Sequence, residues 1–240
     1  MGDLNRMEGE VDGTIAANLR AVRARIDAAC GRAGRDPSSV TLCAVSKRKP
    51  EEDIRAALAA GQHVFGENYV QELCGKAQDL QGEPLEWHMI GHLQRNKVKN
   101  IIDIASLIHS VDSLRLAQQI EKDAAAAGRR IDVLLEVNAA GEESKFGFAP
   151  EEVPEAARAI GALEHVCVKG LMTSAPITDD PETNRPYFKV MRTLLEELQR
   201  REDPGVDAQI LSMGMTGDFE VAVEEGATIV RIGTAIFGER

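Results

Sequence analysis

Two hydrophobic periods alternate along the chain. Short runs of about four to eight mainly apolar residues are typical of strands covered on both faces, whereas an apolar residue at every third or fourth position is typical of amphipathic helices. Glycine, proline or asparagine separates most of these segments. The pattern predicts eight strands, at residues 41–47, 63–68, 86–90, 107–111, 131–138, 166–172, 209–213 and 228–232.

Helical patterns precede the first predicted strand and follow the others. They are expected at 14–31, 50–60, 69–80, 95–99, 114–127, 150–160 and 218–225, with a further helix that contains Met191, Leu194, Leu195 and Leu198 and a short apolar segment ending at Phe237. Eight strand-then-helix units without a break in composition favour an α/β fold, a single (β/α)8 TIM-type barrel with an additional N-terminal helix. An open dinucleotide-binding sheet is disfavoured because no G-x-G-x-x-G follows the first strand.

The predicted domain organisation is simple. Residues 13–240 are expected to form one barrel domain, and residues 1–12, which are polar and rich in Asp and Glu, a flexible N-terminal extension. The 43% hydrophobic content of the 240 residues is ample for a large core.

Charge and cysteine content narrow the function classes. The formal net charge of -11 disfavours a general affinity for nucleic acid or an anionic membrane, because both attract basic surfaces. The four cysteines are too far apart for a zinc site, and they fit buried thiols in a reducing compartment better than a disulfide framework. The N-terminus lacks the apolar core of a signal peptide, so we expect a cytoplasmic protein.

Lys47 is the first candidate for chemistry. Alternation along the first predicted strand places Cys43, Val45 and Lys47 on one face, so Lys47 would be the last inward-facing residue before the chain turns. A lysine that loses its proton is a nucleophile for carbonyl groups. The alternative is a strand-end lysine whose ammonium group extends to solvent.

In a closed barrel the carboxyl ends of all strands surround one pocket. The residues at these ends are more polar than the strands: Lys47, Asn68, Gly91 and His92, Asp112, Asn138, Thr173 and Ser174, Met213 and Gly214, and Gly233 and Thr234. Strand eight lies beside strand one in such a barrel, so Arg231 would project near Lys47. Arg231 either pairs with a strand carboxylate such as Glu136 or faces a ligand, and both readings stay open here.

The loops after strands seven and eight bind phosphate in many barrels of this class. Here they carry Gly214, Thr216 and Gly217 ahead of a helix, and then Gly233 and Thr234. Glycines let backbone N–H groups approach an anion, and the threonines add hydroxyl donors. A reactive lysine, a phosphate loop and an arginine in one pocket are the contacts that pyridoxal 5′-phosphate requires. A Schiff-base aldolase acting on a phosphorylated sugar would use the same lysine and loops.

Seven ordered segments also carry a resemblance to a known family. The chain resembles the pyridoxal phosphate homeostasis protein family from residue 40 to residue 238, in AVSKRKP (44–50), FGENYVQE (65–72), WHMIGHLQRNK (87–97), HSVDSLRLA (109–117), GLMTSAP (170–176), LSMGMTGDFE (211–220) and VRIGTAIFG (230–238).

This resemblance implies a barrel related to the N-terminal domain of alanine racemase, with pyridoxal 5′-phosphate held as a Schiff base on Lys47. It also implies phosphate contacts from Thr216, Gly233 and Thr234, packing from Asn68, Ile90 and Met213, and Arg231 facing the pyridine nitrogen. Thr216 stands where the family usually has serine, and Gly217 where it has a larger residue. Both departures keep a loop that can accept an anion.

The function that this resemblance implies is cofactor binding without turnover. A permanent cation facing the pyridine nitrogen disfavours protonation of that nitrogen, which makes the ring a poor electron sink. Racemisation needs acid/base groups on both faces of the substrate carbon, and neither Tyr69 nor Tyr187 is an obvious second base. The resemblance implies a carrier that takes part in vitamin B6 homeostasis and delivers cofactor through transient contacts with apoenzymes; a low-activity racemase or lyase is the alternative.

Three further expectations complete the sequence reading. With no second domain expected, the protein is predicted to be a monomer. His88 and His92 lack a third ligand at metal-site spacing, so we expect a polar role for them and no metal site. Arg95, Lys97 and Lys99 fit a solvated helix face, with a patch for an acidic partner as the alternative.

Overall fold

The computed structural model describes residues 14–142 and 145–239. Eight strands are present in these ranges: Thr41–Val45 (β1), Val64–Glu67 (β2), Glu86–Met89 (β3), Ala105–Val111 (β4), Ile131–Glu136 (β5), Val166–Met172 (β6), Val206–Ser212 (β7) and Ile229–Ile232 (β8). All pair in parallel with their neighbours in chain order, and β8 pairs with β1 to close the barrel. The predicted TIM-type (β/α)8 fold is confirmed.

Eight α-helices lie in the described ranges: Ile15–Arg32 (α1), Glu51–Ala59 (α2), Val70–Asp79 (α3), Leu114–Ala127 (α4), Val153–Gly161 (α5), Arg185–Arg201 (α6), Phe219–Glu224 (α7) and Thr234–Phe237 (α8). The expected additional N-terminal helix is α1, which buries Leu19, Val22 and Ile26 and packs against α2, α7 and α8. The predicted extension at 1–12 lies outside the described residues, and the domain bounds stay a prediction.

Local signals set several helix ends. Thr14 caps α1 by accepting the Ala17 N–H at 3.3 Å, and Ser113 caps α4 by accepting the Leu116 N–H at 3.3 Å. Gly128 ends α4 in the left-handed conformation, with φ at 63°. Ser113 is therefore the N-cap of α4.

Strand alternation divides the core into two layers. Inside the barrel, Cys43, Leu107, Leu134, Met172 and Ile229 form a small buried cluster. The opposite faces of the same strands pack against the helices and form the main core. The predicted inward direction of Cys43 is confirmed, and all four cysteines are free thiols, with Cys74 the only one that is partly exposed.

Some predicted bounds were wrong. The strand β1 ends at Val45, two residues before Lys47, where the chain enters a turn in which the Lys49 N–H donates to the Ser46 carbonyl at 3.0 Å. The strand β7 begins three residues early, where exposed Asp207 interrupts the apolar run. The basic segment predicted as a helix does form one, a 3-10 helix at Arg95–Asn100.

Candidate functional site

A cavity of about 450 Å³ opens at the carboxyl end of the barrel. Its wall is built by the turn after β1, the loop between β6 and α6, the loop between β7 and α7, and the β8–α8 junction. The lining residues are Val45, Lys47, Pro176, Ile177, Thr178, Asn184, Met215, Thr216, Gly217, Asp218, Arg231, Gly233 and Thr234. Its size falls within the range of small-molecule sites, about 300–1,000 Å³.

Lys47 lies in a tight turn that is fixed from both sides. The preceding residue, Ser46, is fully buried, and its hydroxyl donates to Glu67 Oε1 at 2.6 Å. The following residue, Arg48, has φ at 58°, which is uncommon for a residue with a Cβ. The Arg48 N–H donates to Glu72 Oε2 at 2.6 Å. These bonds explain how the turn keeps a strained conformation.

A buried lysine behind the turn links the same groups. Lys76 Nζ donates to the Ser46 carbonyl at 2.7 Å, to Glu67 Oε1 at 2.7 Å and to Glu72 Oε2 at 3.1 Å. Burial raises the pKa of Glu67 despite these hydrogen bonds from Lys76 and Ser46. The backbone on which Lys47 sits is therefore anchored by an ion-pair network in the sheet–helix layer.

Arg231 lies at the base of the cavity, and its side chain projects from β8 into the barrel. It is only 4% exposed. Nη1 donates to the Ser212 carbonyl at 2.8 Å and to Ser212 Oγ at 2.5 Å, while Nη2 donates to the Thr173 carbonyl at 2.8 Å and to Ser174 Oγ at 3.4 Å. Burial lowers the pKa of Arg231.

These acceptors decide between the two readings of Arg231. All its hydrogen bonds with described residues go to neutral oxygen atoms, so the alternative of a direct pair with Glu136 is not what this structure shows. Glu136 instead acts on Arg231 through space.

Glu136, at the end of β5, is a further titratable group at the mouth. Burial and, after it, the charge of Asp112 raise the pKa of Glu136 to about 7, against the opposing effect of Arg231. Its Oε2 is buried and has no hydrogen-bond partner among the described residues. It lines a smaller cavity of about 180 Å³ together with Lys145, whose Nζ donates to the Ser174 carbonyl at 3.2 Å.

The loop between β7 and α7 is held by Asp218. Its Oδ1 accepts the Met215 N–H at 2.7 Å, and its Oδ2 accepts Asn184 Nδ2 at 2.8 Å. Gly214 has φ at 91°, and a Cβ there would lie 2.6 Å from the Ala222 Cβ. This loop can approach α7 so closely only with glycine at position 214.

Backbone donors surround the same end of the cavity. Within residues 14–142 and 145–239, the N–H groups of Thr216, Gly217, Thr234 and Ala235 make no hydrogen bond to a protein acceptor. Orphan N–H groups at the start of a helix or in a glycine turn are suited to an anion. The two threonine hydroxyls add further donors. The chemistry of this wall fits a phosphate group.

The structure brings together five of the eight predicted site residues. Lys47, Thr216, Arg231, Gly233 and Thr234 line the cavity. The other three, Asn68, Ile90 and Met213, do not line it. Ile90 packs on the inner barrel cluster, Met213 is fully buried in the main core, and the Asn68 backbone contacts Gly91.

Sequence reasoning missed other parts of the wall. Pro176, Ile177 and Thr178, in the loop between β6 and α6, line the cavity but are not among the predicted site residues. The contribution of Asn184 was not anticipated, because its contact with Asp218 joins residues 34 positions apart. The described residues contain no group of three or more His, Cys, Asp or Glu side chains placed to bind a metal ion.

Comparison with known proteins finds relatives along nearly the whole chain. The model of the alanine racemase N-terminal domain matches residues 17–240. A pyridoxal phosphate homeostasis protein of Aquifex aeolicus is 49% identical over 222 residues, which cover 92% of this chain and 96% of that protein. The protein of the same name from Pseudomonas aeruginosa is 45% identical over 227 residues, covering 95% and 96%.

Solved structures agree with these relatives. PipY of Synechococcus elongatus, solved with pyridoxal phosphate bound, is 36% identical and superposes with a TM-score of 0.81, covering 94% of this chain and all of PipY. An alanine racemase of Clostridium difficile is 18% identical, with a TM-score of 0.72, and covers 93% of this chain but 56% of the racemase. The racemase likeness shows the fold alone. Among the described residues no helix is both long and apolar enough to cross a membrane.

Proposed function

The chain belongs to the pyridoxal phosphate homeostasis protein family, and we propose that it binds pyridoxal 5′-phosphate in the mouth cavity, with Lys47 holding the cofactor as a Schiff base. The observation that carries this proposal is the shared cavity of about 450 Å³ lined by Lys47, Arg231 and the donors of Thr216 and Thr234. The structure of PipY with bound cofactor supports it, since that relative is 36% identical over 94% of this chain.

Each part of the cavity has a role in this proposal. Lys47 supplies the amine, the Thr216–Gly217 and Gly233–Thr234 segments receive the phosphate group, and Arg231 faces the pyridine nitrogen. Asn68, Ile90 and Met213 remain proposed packing contacts. Pyridoxal phosphate, when bound, supplies an electrophilic carbonyl carbon and an electron sink. The buried guanidinium of Arg231 opposes a proton on the ring nitrogen and so weakens the sink.

We therefore assign the protein a carrier role in vitamin B6 homeostasis and cofactor delivery to apoenzymes, as a cytoplasmic monomer without a catalytic cycle. The names of its relatives support a homeostasis role. Neither of the two tyrosines considered as a second base, Tyr69 and Tyr187, lines the cavity. Tyr69 is 46% exposed, and its ring centroid lies 5.9 Å from the Arg48 guanidinium carbon.

The first test is the absorption spectrum of the purified protein with added cofactor. The wild type should show the long-wavelength band of a Schiff base, and Lys47→Ala should lose it. Lys99→Ala, on an exposed position of the 3-10 helix, is the matched control and should keep the band. An unchanged band in Lys47→Ala overturns the assignment.

A second test separates the carrier from the alternatives. Cofactor-loaded protein is assayed for interconversion of D- and L-amino acids and for lyase products. The proposal predicts no turnover above the rate of free cofactor. Multiple turnovers that depend on Lys47 would instead favour the racemase or lyase.

A further inference from the structure

A chain of buried polar side chains runs through the barrel interior and ends on Arg231. Ser212 Oγ, which accepts from Arg231 Nη1, lies 2.9 Å from His109 Nδ1. His109 Nε2 lies 2.9 Å from His88 Nδ1, and His88 Nε2 lies 3.2 Å from Glu86 Oε1. The proposed function gives no role to the four residues before Arg231.

The chain crosses the barrel from end to end. Ser212 and His109 are fully buried and His88 is 3% exposed, whereas the Glu86 side chain is 53% exposed. Glu86 is the first residue of β3, so its carboxylate lies at the amino end of the barrel. Arg231 lines the cavity at the carboxyl end.

The direction of the hydrogen bonds follows from the carboxylate end when both rings are neutral. An ionised carboxylate only accepts, so His88 carries its proton on Nε2, donates to Glu86 and leaves Nδ1 as an acceptor. His109 then donates from Nε2 to His88 Nδ1, and its Nδ1 accepts the hydroxyl proton of Ser212. At the other end a guanidinium has donors only, so Ser212 Oγ accepts from Arg231.

The charge states agree with this direction. Burial, with the nearby His88 and Arg231, lowers the pKa of His109 well below its ordinary value, which keeps that ring neutral. The hydrogen bond from His88 lowers the pKa of Glu86, as expected for a carboxylate that accepts it. The chain thus joins a cation at the mouth to an anion at the opposite end.

We propose that Glu86, His88, His109 and Ser212 are positioning residues that hold the guanidinium of Arg231 in its cofactor-facing orientation. The chain and the Thr173 and Ser174 oxygens bind Nη1 and Nη2, so the Nε–H remains as the donor for a ligand. Successive hydrogen bonds polarise one another at low dielectric, which couples the distant Glu86 carboxylate to the arginine. The ligand part of this inference rests on the proposed function.

The first experiment uses the full-length protein without cofactor and is therefore independent of the proposed function. Nitrogen-15 NMR of the histidine rings should show both His88 and His109 neutral, each with its proton on Nε2. A proton on Nδ1 of either ring, or a charged His109, would contradict the one-way chain and overturn the inference.

The second experiment reads the arginine directly. In ligand-free protein, Ser212→Ala and Glu86→Leu should both shift or broaden the Arg231 Nε–H signal. Glu86→Gln keeps an acceptor for His88, so its Arg231 Nε–H signal should stay close to that of the wild type. Ser110→Ala is the matched control, because Ser110 is also a buried strand serine, yet it donates to the Gly91 carbonyl outside the chain.

Cofactor binding gives the third readout. Ser212→Ala should raise the dissociation constant for pyridoxal 5′-phosphate by at least about tenfold, as expected when a group that orients a charged donor is lost. Ser110→Ala should change it much less. If Ser212→Ala and Ser110→Ala changed the Arg231 signal and the affinity equally, Ser212 would only fill space in the core, and the inference would be overturned. If the wild type binds no cofactor, the NMR results still test the hydrogen-bonded chain from Glu86 to Arg231, and only the proposed function fails.

Discussion

Lys76 Nζ donates a hydrogen bond of 2.7 Å to the backbone carbonyl of Ser46, the residue immediately before Lys47. The link joins α3, which carries no cavity-lining residue, to the turn that presents the candidate Schiff-base lysine. The turn cannot shift without breaking bonds to Lys76, because the Ser46 hydroxyl also shares Glu67 with that lysine. The placement of Lys47 is therefore a property of two strand–helix units.

Removing the buried cation should be costly. Lys76→Met leaves the Glu67 carboxylate buried without its charged partner, which should lower the free energy of unfolding by about 3–5 kcal/mol. The double variant Lys76→Met/Glu67→Leu, which removes both members of the buried Lys76–Glu67 ion pair, should recover part of that loss. Denaturant unfolding measures both. A loss in the single variant no larger than that of Lys99→Met, an exposed control, would refute the network.

Glu136 should make stability depend on pH. Its pKa is raised to about 7 in the folded protein, so the folded state holds a proton that the unfolded state releases near pH 4.5. The free energy of unfolding should therefore fall as pH rises between these two values.

The variant Glu136→Gln isolates this effect. It should be more stable than the wild type at pH 8 by about 1–3 kcal/mol and lose most of that advantage at pH 4.5. Thermal unfolding of cofactor-free protein at the two pH values measures the difference. Glu196→Gln, an exposed change on α6, serves as control, and a pH-independent difference for Glu136→Gln would contradict the prediction.

Gly91 allows β2 and β3 to end close together at the mouth. A Cβ at this position would lie 2.3 Å from the Asn68 carbonyl oxygen, a backbone atom with little freedom to move. Gly91→Ala should therefore destabilise the protein by about 1–3 kcal/mol. Gly75→Ala, in α3 with open space around the new methyl group, should stabilise it by about 0.5–1 kcal/mol. Similar unfolding midpoints for the two variants would disprove the close contact.

The hydroxyl of Thr216 should contribute to binding of the phosphate group. Thr216→Val keeps the shape of the side chain and removes one donor, so affinity for pyridoxal 5′-phosphate should fall by about tenfold. Affinity for pyridoxal, which lacks the phosphate, should change little. Thr193→Val, on the outer face of α6, is the control. An equal loss for both ligands would assign Thr216 a role other than phosphate contact.

Much of this architecture is readable from the sequence because strands and helices have different hydrophobic periods. The eight strands and the mouth position of Lys47 followed from alternation and strand order. The 3-10 type of the helix Arg95–Asn100 did not follow, because a run of basic residues does not distinguish one helix type from another. The Asn184–Asp218 contact also escaped, since it depends on how two loops fold together.

The polar chain inside the barrel was within reach of the same reasoning. Alternation places His88, His109 and Ser212 on the inward faces of three strands. What the sequence lacks is register: β3 and β4 shift against each other between Trp87 and His88, and only the folded barrel shows which inward residues meet. Register shifts depend on packing against the helices, which no single segment encodes.

The most direct measurement of the central claim is peptide mass spectrometry after borohydride reduction of protein incubated with pyridoxal 5′-phosphate. Reduction makes a Schiff base permanent and marks the lysine that formed it. The proposed function predicts one dominant phosphopyridoxyl adduct, on Lys47, at equimolar cofactor. Adducts spread over surface lysines with Lys47 unmodified would contradict it.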